Sequence, residues 1–202
     1  MIKVIMSNLY NASRYKNVII NLLLKNNDFV TLMNPQKPPH NQLEIQDMLL
    51  GGTWFIDRKK YEVQGQLFDH NFVDDTTDEE KTFVFVETDI NMIRQNIFTD
   101  FGLYICIFTS KSLIRITDDT VPSINEVEGM GYEVGHYGNR IDILCDTVDR
   151  ILKGNRKIKG IGNIEPAERG FCTLYSPNNK YYGKCLKYNV TNLNEVENSC
   201  EN

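Results

Sequence analysis

Long apolar runs are missing from this sequence, and no stretch approaches the ~20 residues that a membrane-crossing helix needs. Its start, Met1 to Met6, carries one lysine and too short an apolar stretch for a secretory signal. The expectation is a soluble chain with no membrane partner, made and kept in the cytoplasm. Cysteine is scattered: Cys106, Cys145, Cys172, Cys185 and Cys200 form no C-x-x-C pair, which argues against a zinc site. A reducing compartment predicts no disulfide, and Cys106 and Cys145, set inside apolar patterns, read as small core side chains.

The residues that usually carry catalysis are equally sparse. His40, His70 and His136 stand apart, none with a second histidine or a carboxylate at helical ligand spacing. There is no G-x-S-x-G elbow and no Walker loop. Gly160-Ile161-Gly162 lacks the third glycine of a dinucleotide loop, and Pro166 interrupts the helix that would follow, so it reads as a glycine-rich strand or bulge. Asp69 with His70, or Asp118 with Asp119, become catalytic only if the fold brings partners to them. The expectation is a protein that is not an enzyme and uses no cofactor and no metal.

Basic residues are outnumbered, 22 to 27, for a formal net charge of -5, which argues against a general nucleic-acid binder. The most basic run, Lys153, Arg156, Lys157 and Lys159, follows a predicted helix end, where cations complement the helix dipole.

What is present is enough for one core. A chain of 202 residues with 41% hydrophobic content reads as a single α+β domain over 1–202, with 192–202 a polar tail that is flexible or bound to a partner. Ala12, Tyr15, Ile19, Leu22 and Leu23 predict an amphipathic helix over Asn11–Asn26, with Asn11 as its N-cap. Pro35, Pro38 and Pro39 impose an extended connection, and a helical turn over Leu43–Leu50 ends at Gly51-Gly52. Irregular strands follow, including Tyr61–Phe68. The acidic stretch Asp69, Asp74, Asp75, Asp78, Glu79 and Glu80 lacks the order of a calcium loop and reads as a solvated loop.

Two strands carry the strongest β signal, Thr82–Thr88 and Phe101–Thr109, and the short link between them makes them antiparallel. That link holds Ile90, Met92, Ile93, Ile97 and Phe98 beside a single basic residue, Arg94. Either the strands continue farther and these residues rejoin the core, or they form a projecting β-arm whose apolar residues a neighbouring subunit covers. The stretch Asp118–Gly138 has the length of a functional or partner-ordered loop. A helix over Asn139–Lys153 is marked by its apolar stripe, Asp142 in the first turn, Lys153 in the last and Gly154 as C-cap. A last strand, Tyr181–Val190, puts Tyr182, Lys184, Leu186, Tyr188 and Val190 on one face. The sum is an α+β fold: an antiparallel sheet, two main amphipathic helices packed on one face, and a long β-hairpin arm.

The segments Glu80–Glu87, Leu103–Phe108 and Gly138–Asp146, in this order of elements, resemble the tail terminator and tail-to-head joining (neck) proteins of long-tailed bacteriophages. The likeness spans about half the chain and lies in element order, and 35–73 and 118–137 have no counterpart in it. It implies a virion protein assembled in the host cytoplasm, a homo-oligomeric ring of six that ends tail-tube growth. Its partners would be itself, the tail tube and the neck or head connector, with DNA passing through the lumen without specific binding. Ile90, Met92, Ile93, Arg94, Ile97 and Phe98 would then form the subunit interface. A different neck or head-completion connector is one alternative, and a small cytosolic enzyme or nucleic-acid-processing factor is another.

Overall fold

The helical period that begins at Ala12 is realised as α1 (Asn8–Leu24), with Tyr15, Ile19 and Leu23 buried on its inner face. In the computed structural model, residues 8–33, 44–71, 79–94, 98–116, 138–155, 157–158 and 161–192 are described. The helix starts a turn earlier than its apolar stripe, so Asn11 lies within it and is not its cap. Asn26 does not merely end the helical region. Its side chain accepts from the Phe29 amide at 2.8 Å and caps a second helix, α2 (Asn27–Leu32), which buries Phe29, Val30 and Leu32. A third, α3 (Ile45–Leu50), ends at Gly51, whose φ of 76° suits glycine. The clearest sequence element becomes α4 (Arg140–Gly154), where Asn139 accepts from the Ile141 amide at 2.9 Å. Gly154 is still helical, and Asn155 takes the C-cap position in its place.

A two-stranded sheet follows α3. Strands β1 (Gly52–Ile56) and β2 (Lys59–Val63) form a tight hairpin through Asp57 and Arg58, both with positive φ. The sequence pattern here suggests only irregular strands, because neither turn residue is the glycine or asparagine that usually marks such a turn.

Among the described residues the main sheet has seven strands. Along it lie β3 (Leu67–Phe68), β4 (Thr82–Arg94), β5 (Phe98–Ser110), β9 (Tyr181–Asn192), β7 (Gly162–Pro166) and β6 (Lys157–Ile158), with β8 (Cys172–Tyr175) also paired to β9. Every pairing is antiparallel except the short β3–β4 contact. Gln66 fixes that parallel contact from inside: its buried side-chain amide donates to the carbonyls of Met33 and Thr82, each at 2.9 Å. Gly162 begins β7, which agrees with a glycine-rich strand.

One face of the sheet carries Val84, Val86, Leu103, Ile105, Ile107, Leu186, Tyr188 and Val190 against α1, α2 and α4, and this is the main core. Sequence alternation fits this strand for strand. The opposite face holds a smaller aromatic cluster, Phe83, Phe85, Phe108 and Tyr181, with Cys106. There the expectation of no disulfide is overturned. Cys106 and Cys185 are direct partners across β5 and β9, their Cα atoms are 4.0 Å apart, and they are disulfide-bonded. Their sequence separation of 79 hides a pairing that only the strand register creates. Cys145, by contrast, is a buried free thiol, as its pattern predicts.

Several sequence expectations fall outside the described residues: the connection at Pro35, Pro38 and Pro39, the residues Asp74, Asp75 and Asp78, the loop through Asp118 and Asp119, Ile97, His40, His136, Arg156, Lys159, Gly160, Cys200 and the tail beyond Asn192.

Candidate functional site

Strands β4 and β5 run past the limits their β-rich segments suggest, to Arg94 and from Phe98, thirteen residues each. Ile90 pairs with Phe101, the register shifts at a bulge before Met92, and Met92, Ile93 and Arg94 then pair with Asp100, Thr99 and Phe98. Asn91 at that bulge breaks the alternation that would otherwise have marked a long strand. The lower half of the connection therefore belongs to the sheet, since Phe101 is fully buried and its ring meets Tyr15 edge-on at 5.0 Å. Beyond it, β9 accompanies β5 as far as the Asn192–Thr99 pair, and β7 flanks β9 through Asn163–Thr191. Five of the six candidate interface residues, Ile90, Met92, Ile93, Arg94 and Phe98, thus lie on the distal part of one hairpin.

Helix α1 also holds β4 electrostatically. The Lys16 ammonium reaches both the Glu87 carboxylate and the Asp69 carbonyl, the latter at 2.9 Å. Burial works against the Glu87 charge, but the bonds from Lys16 and the Thr88 amide outweigh it and hold the carboxyl below its usual range. Asp69 is also held low, chiefly by its 2.7 Å bond to His70. The Asp69–His70 pair is exposed, and the partners that the fold brings near it are the structural Lys16–Glu87 pair and the Phe68 ring.

A second feature is invisible in the sequence. A cleft of about 510 Å³ opens between the β1–β2 hairpin and the segment leading into β4, lined by Thr53, Glu62, Gln64, Glu79 and Lys81 among others. Lys81 forms an ion pair with Glu79, and the Tyr181 hydroxyl donates to the Glu79 carbonyl at 2.7 Å, so this wall is held from the aromatic face of the sheet. No histidine or cysteine lines the cleft, and nothing in the spacing of residues 53–81 points to it.

Among the described residues, no group of three or more histidine, cysteine, aspartate or glutamate side chains is placed to hold a metal ion. Nor is any described helix long and apolar enough to cross a membrane. The basic run is only partly visible, and there Lys153 pairs with Asp149 one helical turn back, as a helix-end cation would.

No curated protein and no solved structure matches the chain. One family model does: it spans residues 18–190, from within α1 almost to the end of β9, and so covers most of the chain. On that match the chain belongs to the YomW family, a family derived from Bacillus phage, and is a phage protein.

Proposed function

We propose that this phage protein is a virion component that closes into a ring at the junction of tail and neck, ending tail-tube growth and joining tail to head. The observation that carries the reading is the β4–β5 hairpin. Past the Ile90–Phe101 pair the two strands stay paired through Met92 and Ile93 as far as Arg94 and Phe98, so this apolar-rich sequence forms the far part of a hairpin with thirteen-residue strands. The apolar-rich far part of such a hairpin is a surface that a neighbouring subunit covers when rings assemble, because apolar area left in water is costly. The phage origin of the family supports the same reading. So does the acidic balance, since a ring of net charge -5 per subunit repels DNA passing through it.

The test is the mass of the purified chain by light scattering over a concentration series, with Ile93→Asp measured beside it, each also mixed with isolated tail tubes. A ring-sized mass, or capping of the tubes, that the substitution abolishes supports the reading. A monomer that ignores the tubes overturns it.

A further inference from the structure

The two described cysteines outside the disulfide are also brought together, on the other face of the sheet. Helix α4 lies across β9 so that Asp142 accepts from Lys184 at 2.6 Å and Asp149 accepts from Tyr188 at 3.1 Å. Cys145 is one turn beyond Asp142, on the buried side of the helix. On the sheet, β8 pairs with β9 so that Cys172 sits opposite Leu186, midway between Lys184 and Tyr188. The two registers therefore bring Cys172 to the same stretch of β9 over which Cys145 lies. Cys172 is exposed and Cys145 is only 8% exposed. The Cys106–Cys185 disulfide cannot take part, because Cys185 packs with the aromatic cluster while its neighbour Leu186 packs with the helices.

We propose that Cys172 is a thiolation site for low-molecular-weight disulfides, and that Cys145 resolves the adduct into a second protein disulfide tying β8 to α4. The Cys172 thiolate attacks one sulfur of the disulfide RSSR, that S–S bond breaks, and the departing RS⁻ takes up a proton to become RSH. Cys145 then gives its proton to solvent and attacks the Cys172 sulfur, and the second RS⁻ leaves and is protonated. Two protein thiols are oxidised and one RSSR is reduced to two RSH.

The environments set the order. Cys172 is exposed and open to attack on a small disulfide, whereas Cys145 is buried. Burial first, then the neighbouring Cys172, pushes the Cys145 thiol up to about 12, with Asp142 acting in the same direction and Lys184 opposing. At pH 8 only about one Cys145 in ten thousand is then ionised, so resolution is the slow step and the mixed disulfide accumulates first. The proposal rests on cysteine placement alone and is independent of ring formation.

The experiment treats the full chain, with Cys200→Ser so that four cysteines remain, with oxidised glutathione at pH 8 and follows intact mass and peptide maps. The expected course is one glutathione on Cys172, replaced over time by a Cys145–Cys172 crosslink, with the second phase accelerating about tenfold per pH unit. The crosslinked chain melts about 5 °C or more above its reduced-pair form. Cys145→Ser keeps the adduct and forms no crosslink, and Cys172→Ser takes up no glutathione. An unreactive Cys172, an adduct that persists without crosslinking up to pH 9.5, or a crosslink from Cys172 to Cys106 or Cys185 each overturns it.

Discussion

Tyr188 of β9 donates its hydroxyl to Asp149 of α4 at 3.1 Å while its ring is 1% exposed, so a single side chain both fills the core and anchors the helix over it. Asp149 also pairs with Lys153, which means that the carboxylate keeps a partner when the tyrosine hydroxyl is removed. Tyr188→Phe should therefore cost only about 1 kcal/mol, the net worth of an ordinary hydrogen bond, and lower the thermal midpoint by about 3 °C. Circular dichroism melts decide it. A loss several times larger would mean that the hydroxyl supports more of the α4 interface than this one bond.

The same interface makes the fold sensitive to alkali. Burial, reinforced by Asp149, raises the Tyr188 phenol above its ordinary value of 10.0, and burial raises the Cys145 thiol from 9.0 to about 12. Lys184 is raised as well, chiefly by its bond to Asp142. In each case the native state holds a proton that the unfolded chain gives up sooner. Between pH 9 and 12 the unfolded state thus binds fewer protons, and stability falls as pH rises, by up to about 1.4 kcal/mol per unit for each group. Below pH 9 the contribution is complete. Urea midpoints at pH 8, 10 and 11 should decline in that order, and Cys145→Ala should flatten the early part of the decline. Equal midpoints at all three would contradict it.

Arg140 supplies a third test. It opens α4 and is 2% exposed, and its guanidinium donates to the Leu32 carbonyl at 2.6 Å and the Leu113 carbonyl at 2.9 Å. Burial depresses its pKa, as it does for any cation taken from water. One planar group thereby satisfies the end of α2 and the turn after β5 at once, which a lysine ammonium on a flexible stem cannot reproduce. Arg140→Met leaves two buried carbonyls without these donors and should cost about 2–4 kcal/mol. Arg140→Lys should recover less than half of that. Chemical denaturation of both variants measures the difference.

What was legible in the sequence depended on how local the cause was. Helix α4 is readable to within a residue or so at each end, because the stripe from Ile141 to Leu152 and the charged ends all lie within one segment. Strand β9 is readable for the same reason: alternation alone assigns Leu186, Tyr188 and Val190 to the core. The β1–β2 hairpin is not, since Arg58 adopts positive φ where a glycine would usually mark the turn. The upper β4–β5 hairpin is half legible. Its apolar content stands out, but a bulge and the intervening Asp89 and Asn91 disguise how far the strands run. The two cysteine pairs and the cleft beside Lys81 depend on which strands become neighbours, and no local pattern encodes that.

The Gly183 position shows how tightly those neighbours meet and gives the sharpest test of the register. Gly183 pairs with Phe108 across β9 and β5, two residues along from the Cys185–Cys106 pair. A Cβ there would lie 2.2 Å from the Ile107 carbonyl oxygen and 2.7 Å from the Phe108 Cα, both backbone atoms of a central strand that cannot swing aside. Relief would require β5 and β9 to separate, disturbing the aromatic cluster and the disulfide beside it. Gly183→Ala should therefore destabilise by about 2–3 kcal/mol or more. Gly154 is the control, because it ends α4 with nothing within 4 Å of its would-be Cβ. Gly154→Ala should stabilise by about 0.5 kcal/mol through a less flexible unfolded chain. If the two alanines proved equally benign in denaturant titrations, β9 would not pair with β5 in this register, and the cysteine pairings that follow from it would fall as well.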